Sequence, residues 1–261
     1  ITGPGFASAR RWQEYATAIN AAAYTAVDLA ETAEGRRAAW TVNVTGVAAL
    51  AQVAAENGIT LVHVSSDYVF DGSLARPYTE DDAMCPLGVY GQTKAAGDAI
   101  ISILPRHYVI RTSWVIGEGN NFVRTMASLA ERGVDPNVVN DQVGRLTFTS
   151  DLARGIIHLL QSGAQSGVYN LTGAGEPASW ADVAREVFSL TGHDPVRVRG
   201  ISTAEYFGAA TTYVAPRPAN STLDLAKVTA TGFVAHDWRT LLAASLSPEP
   251  SPSNETTTPR H

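Results

Sequence analysis

Tyr90 and Lys94 stand four positions apart in Tyr90-Gly91-Gln92-Thr93-Lys94. On a helix that spacing puts both side chains on one face. A lysine ammonium beside a phenol favours the phenolate and draws its pKa down from about 10. A tyrosine tuned in this way can pass a proton to an alkoxide as it forms. The pair alone is not specific, because the same spacing also occurs as a plain surface pair. A second feature lies 24 residues before Tyr90, in Val62-His63-Val64-Ser65-Ser66-Asp67-Tyr68-Val69-Phe70-Asp71-Gly72. This reads as a short buried strand ending in two hydroxyls, Ser65 and Ser66. Open α/β folds bind ligands at the carboxyl edge of the sheet. A hydroxyl there can bond a substrate carbonyl and hold it for hydride attack. The alternative for Ser65, Ser66 and Asp67 is a turn cap. Asn43 is a third candidate. Asn is a poor helix-interior residue, so it is either simply exposed or has a polar role. Its place between the first small-residue turn and the serine strand fits a structural water site behind the lysine.

The elements that must position these groups follow from periodicity. Ala18 to Ala23 reads as a strand running into a small-residue turn. Trp40, Val44, Val47, Ala51 and Ala54 recur at helical spacing, and Asn57-Gly58 supplies a stop. Leu61–Ser65 and Tyr108–Arg111 read as strands, with a helix from Tyr90 to Leu104 between them. A helix over Asp151–Gln161 and a strand at Val168–Leu171 follow. Strand and helix alternating at this spacing imply βαβ units and a parallel sheet covered on both faces. Beyond about residue 176 the texture becomes α-rich. Helices are expected at Trp180–Thr191 with Ser179 as N-cap, near Thr203–Phe207 and near Asp237–Ala244. The organisation expected is a doubly wound Rossmann-like α/β domain over 1–120, with 149–175 returning to the sheet. A smaller substrate-binding part would cover 121–148 and 176–246. Residues 247–261, rich in Ser, Pro and Thr, are expected to form a disordered tail.

Composition narrows the function. The 261 residues are 45% hydrophobic and 17% charged, with a net charge of -6. No basic patch stands out, which argues against nucleic acid as a partner. One cysteine, Cys85, rules out a disulfide framework within the chain and fits a reducing cytoplasm. No uninterrupted apolar run reaches the roughly 18 residues of a membrane span, so no membrane partner is expected.

Taken together, Asn20-Ala21-Ala22-Ala23-Tyr24-Thr25-Ala26-Val27-Asp28, the Ser66 segment and Tyr90–Lys94 closely resemble dTDP-4-dehydrorhamnose reductases. These are extended short-chain dehydrogenases that make dTDP-L-rhamnose. The resemblance continues through Arg111-Thr112-Ser113-Trp114-Val115, Asn120-Asn121-Phe122-Val123, Asp141-Gln142-Val143-Gly144 and Arg217-Pro218-Ala219-Asn220-Ser221. It spans about residues 19 to 246. It implies Ser66, where the family usually has Thr, Tyr90 and Lys94 as the catalytic set. Tyr90 would be the general acid, and Lys94 would also bind the nicotinamide ribose. Ala21, Ala22, Ala23, Tyr24, Asn43 and Ser65 would line the cofactor. Asp67, Tyr68 and Trp114 would face the sugar, and Asn121, Arg217 and Ser221 the sugar-nucleotide side. The implied cofactor is NADPH, with NADH the alternative, and the implied partner is a dTDP-linked keto-sugar. Some family members bind Mg²⁺ at a dimer contact. A homodimer and Mg²⁺ therefore enter the expectations, but no carboxylate cluster places the metal.

The match departs from the family at its start. The family opens with a strand, a Gly-x-x-Gly-x-x-Gly loop that receives the pyrophosphate, and a helix. Gly3-Pro4-Gly5 is no substitute, since it follows no strand and Pro donates no N–H. The first βα unit and the next strand, on the order of 40–50 residues, are expected to be missing, since a βαβ unit takes about 30 or more. The residues that choose NADPH over NADH lie there. A fragment of a full enzyme is preferred over a truly truncated protein, because a sheet without its first strand exposes an edge. Two other readings stand beside the reductase. One is a non-catalytic subunit resembling the regulatory subunit of methionine adenosyltransferase. The other is a reductase or epimerase acting on a different nucleotide sugar.

Overall fold

The computed structural model describes residues 3, 5–8, 10–208 and 214–247. The expected tail beyond Ser247 lies outside the described residues, as does Pro4. The chain opens with β1 (Thr17–Asn20) and continues through α1 (Ala33–Trp40), a π-helical turn (Thr41–Gly46) and α2 (Val47–Asn57). Gly58 ends this run in the left-handed region, at φ 62°, where glycine is unstrained. β2 (Thr60–Val64), α3 (Val89–Ser102) and β3 (His107–Arg111) follow. Next come β4 (Val115–Ile116), α4 (Phe122–Glu131), β5 (Asn137–Val139), β6 (Val143–Gly144), β7 (Thr147–Phe148) and α5 (Thr149–Gln161). The chain then forms β8 (Gly167–Asn170), β9 (Ala178–Ser179), α6 (Trp180–Leu190), β10 (Arg199–Ile201) and α7 (Thr203–Phe207). It closes with α8 (Ala226–Thr229) and α9 (Trp238–Leu246).

The main sheet is parallel, in the order β1-β2-β3-β8. Successive residues of β2 feed opposite faces. Leu61 packs with Val47, Leu50, Ile101 and Val109 under α2 and α3. Val62 packs with Ile110, Leu152, Ile156 and Leu159 under α5. Both faces are thus covered, which is why β3 is buried along its whole length. This is the doubly wound Rossmann-like arrangement. Among the described residues β1 has no strand on its outer side, and Ile19 is exposed there.

A second core lies beyond the sheet. Val123 and Met126 of α4, Val183 and Val187 of α6, and Trp238 and Leu242 of α9 meet there, over Ile116 and Phe148. The expected cap at Ser179 is a full capping box, with Asp182 bonding back to the Ser179 N–H at 3.1 Å. Val228 and Phe233 pack with the sheet core rather than this one. The helix α4 and the two- and three-residue strands have no counterpart in the sequence reading.

The helical run Ala33–Asn57 is 25 residues long, with an 18-residue window of mean hydropathy 1.3. By length and composition it could cross a membrane, as the core helix of a soluble protein also can, and Thr41, Asn43, Thr45 and Gln52 interrupt its apolar run. Here it packs against α3 and the sheet. Its π turn carries Asn43, and π turns often mark functional positions. Asn43 accepts from the Tyr24 N–H at 2.8 Å and donates to the Tyr24 carbonyl at 3.1 Å and to Thr93 Oγ1 at 3.0 Å. Both ends of its buried amide are therefore held by protein.

The helix α3 is seated just as closely. Its Val89 N–H donates to Glu31 at 2.7 Å, an acidic group at a helix N-terminus. A Cβ on Gly91 would collide with the Tyr68 carbonyl, so only glycine lets this turn approach. Gly91→Ala is expected to lower stability by about 1–3 kcal/mol through overpacking, measured by urea unfolding. Asn43→Ala should cost about 2–4 kcal/mol in the same measurement, since it leaves buried partners unbonded.

Candidate active site

Parallel strands deliver the loops that follow them to one edge. The loops after β1, β2 and β3 and the first turns of α3 enclose a cavity of about 510 Å³. The loop after β1 contributes Ala21 and Ala23; that after β2, Ser65, Ser66, Asp67 and Tyr68; α3, Tyr90 and Lys94; that after β3, Trp114. Of the residues expected at the cofactor, Ala22, Tyr24 and Asn43 do not line the cavity; Asn43 holds the loop from behind.

Lys94 is buried, and its Nζ donates to the Val64 carbonyl at 2.7 Å. Burial pushes its pKa down to about 8, against a pull upward from Asp98. The Tyr90 phenol is pushed up to about 12 by burial, with the Ser66 hydroxyl drawing it down and Asp67 and Asp98 adding to the rise. This corrects the expectation that Lys94 lowers it. The ammonium is committed to Val64, and the cost of burying a phenolate dominates. The Tyr90 ring meets Tyr68 edge-on, with centroids 5.4 Å apart.

Asp67 is buried and its pKa is pushed up to about 6 by burial, with Ser221 and Ser66 pulling down. Ser66 Oγ donates to its Oδ1 at 3.0 Å. Its Oδ2 has no hydrogen-bond partner; the Ser221 hydroxyl approaches the carboxyl without reaching bonding geometry. Thr112 Oγ1, from a cavity-lining residue, is also buried without a partner, whereas the Ser65 hydroxyl lies by the Asp98 carboxyl and draws its pKa down. Such orphaned groups mark where a ligand makes bonds that the protein does not.

Trp114 has a positive φ of 48°, an unusual conformation for a bulky residue. Its ring stacks on Trp180 at 3.7 Å. A Cβ on Gly144 would meet the Trp114 ring. Trp180 also walls a neighbouring pocket of about 190 Å³, with Phe122, Gln142, Tyr206, Phe207 and Arg217. The Arg217 guanidinium lies over Phe207 and pairs with Asp28 at 2.8 Å. Asn121 is elsewhere: it caps α4 by accepting from the Arg124 N–H, and it lines a separate pocket of about 210 Å³. Among the described residues no group of three or more His, Cys, Asp or Glu is arranged to hold a metal.

The sequence matches the family described as the RmlD substrate binding domain over residues 8–249. The chain belongs to that family. It is 41% identical over 238 residues to a dTDP-4-dehydrorhamnose reductase of Aggregatibacter actinomycetemcomitans, covering 86% of this chain and 78% of the relative. The solved dTDP-4-dehydrorhamnose reductase of Clostridium acetobutylicum superposes with a TM-score of 0.80 at 38% identity, over 88% of this chain and 79% of that one. That of Bacillus anthracis, solved in complex with NADP, gives 0.78 at 33% identity, over 87% and 78%.

Several lining residues of this RmlD-family site escaped the sequence reading. Thr112 follows β3 as Ser65 follows β2, so the strand-end rule could have found it; Val115 opens β4. Trp180 is the first residue of α6 and reaches the cavity through the second core, which no local signal shows.

Asp67 gives a pH prediction. Its folded pKa, about 6, lies above the unfolded value, so between about pH 4 and pH 6 the folded chain holds a proton that the unfolded chain has lost. Stability from this group therefore falls as pH rises through that window, by about 1.4 kcal/mol per unit at most. Asp67→Asn should flatten that part of the stability–pH curve and stabilise the chain at pH 7 by roughly 2–3 kcal/mol. Urea midpoints from pH 4 to pH 8 test this; a curve unchanged by the substitution would sink it.

Proposed function

We propose that the chain reduces the 4-keto group of dTDP-4-dehydro-L-rhamnose with NADPH, giving dTDP-L-rhamnose. The observation that carries this is the meeting of Ser66, Tyr90 and Lys94 in one cavity at the carboxyl edge of the sheet. The family and its NADP-bound relative support the cofactor. The cavity fits a nicotinamide: Ala21 and Ala23 leave room at the end of β1, and Thr112 offers an unpartnered buried hydroxyl. A reduced nicotinamide bound there supplies the hydride. NADPH over NADH rests on the relative alone.

Ser66 turns its one hydroxyl hydrogen from Asp67 to the substrate carbonyl oxygen and holds it by donating a hydrogen bond. Tyr90 gives its phenolic proton to the same oxygen as the C4–O double bond becomes a single bond. A phenol that stays protonated through neutral pH is in the state that a proton donor needs. Lys94, with one donor bonded to Val64, presents its remaining donors to ribose hydroxyls. Asp67, Tyr68 and Trp114 face the sugar. The aromatic pocket beyond Trp180 suits a base, and Arg217 suits phosphate oxygens. Asn121, fixed as a helix cap, has no part in this reading. The sheet, residues 1–120 and 149–175, is assigned to the cofactor and the second core to the substrate. The cytoplasm is the proposed compartment.

The test is NADPH oxidation with dTDP-4-dehydro-L-rhamnose and product analysis. Tyr90→Phe should lower kcat by about 100-fold or more with little change in KM, while Ser66→Thr should keep most of the rate. Wild-type turnover in Tyr90→Phe would overturn the mechanism. Faster turnover of another keto-sugar nucleotide would reassign the substrate. Absent turnover together with a co-purifying catalytic partner would favour the regulatory-subunit reading.

A further inference from the structure

His63 is fully buried in the middle of β2, and the mechanism above gives it no role. Its two ring nitrogens face different partners. Nδ1 lies 2.9 Å from Asn20 Nδ2, and Nε2 lies 3.4 Å from Lys94 Nζ. Asn20 ends β1 and also contacts the loop lining the cavity: its Oδ1 accepts from the Ala22 N–H at 3.2 Å. A backbone N–H can only donate, so the Asn20 atom that faces Ala22 is the oxygen. The atom that faces His63 is then the NH₂ group, which can only donate to a ring nitrogen. Nδ1 is therefore the acceptor, and the ring proton sits on Nε2. That N–H points toward Lys94 Nζ, which as an ammonium has no lone pair to accept it.

We propose that His63 is a positioning residue for Lys94: Asn20 locks its ring as the neutral Nε2–H tautomer, and this N–H disfavours the charged form of the lysine in the free protein. The inference rests on the reading of Lys94 as a catalytic group, and extends it to how that group is held. The other groups around the ammonium act in both directions. The Val64 carbonyl bonds it at 2.7 Å. Asp98, one turn further along α3, favours the charge, but Arg111 bonds that carboxylate at 3.1 Å. Tyr90, one turn earlier, is neutral. Burial is the largest cause lowering both pKa values: His63 falls to about 3 and Lys94 to about 8. The imidazole is thus neutral wherever Lys94 titrates. The arrangement ties the backbone of the Ala21–Tyr24 loop, through Asn20 and His63, to the lysine charge. A disturbance of that loop reaches Lys94 without touching it.

The sequence makes the test direct, because Lys94 and Lys227 are its only two lysines. In free protein carrying ¹³C,¹⁵N-lysine, NMR titration gives two signals, assigned with Lys227→Arg. His63→Leu keeps the site apolar and removes the Nε2–H. The Lys94 pKa should then rise, by about one pH unit. A fall or no change overturns the proposal, since an acceptor nitrogen at Nε2 would have been stabilising the ammonium. The second readout needs no variant: ¹⁵N-histidine NMR of the wild-type chain should show the ring that stays neutral to about pH 3 as the Nε2–H tautomer. The Nδ1–H tautomer there overturns the proposal even if His63→Leu does not fold. Neither readout uses substrate, so failure here is distinct from failure of the proposed reaction.

Discussion

The bond from the buried Lys94 ammonium to the Val64 carbonyl, at 2.7 Å, is the constraint on which the site depends. A buried lysine is tolerated only where its donors find partners. Here the bonded partner comes from the end of β2, so α3 must lie tightly against that strand. Gly91 and the Val89–Glu31 bond allow and fix that approach. One turn beyond Lys94, Asp98 meets Arg111 of β3 in a second buried pair. Tyr90, Lys94 and Asp98 thus recur at every fourth position along one helix. Each is set against a different part of the sheet edge.

The sheet and its helices were legible because their cause is local. The short apolar run of β2, helical spacing over Trp40–Ala54 and Asn57-Gly58 as a stop are each written within a few residues. That Ser66, Tyr90 and Lys94 would come together was legible for the same reason, since four-residue spacing and a strand-end hydroxyl are short-range patterns. The small strands were not, because two-residue pairings have no period to read. Asn43 shows the limit most clearly. Its type marked it as unusual in a helix, but its partners lie 19 and 50 residues away. Asn121 carried a motif whose physical meaning is a helix cap. Environment, finally, reversed one inference from spacing: Tyr90 and Lys94 share a helix face, yet burial governs the phenol.

The two cores divide the labour in a physical sense. Sheet packing fixes Ser66, Tyr90 and Lys94 to a rigid edge. The second core delivers Trp180 onto Trp114, whose left-handed backbone is held by that stack and by the close fit against Gly144. Strain of this kind persists only where surrounding packing over-determines it. Trp180 faces both the main cavity and the aromatic pocket, so the wall between them belongs to the smaller core.

The burial of Lys94 also shapes how the molecule meets reagents. Lys227 is exposed, resting over the Tyr169 ring at 4.8 Å, whereas Lys94 is enclosed by α3 and β2. Amine-directed labelling or surface coupling under native conditions therefore has a single lysine to find, on the side of the sheet covered by α5 and α8. A dye or support attached there leaves the cavity open, so with the α-amino group blocked the scarcity of lysine suits the chain to oriented immobilisation.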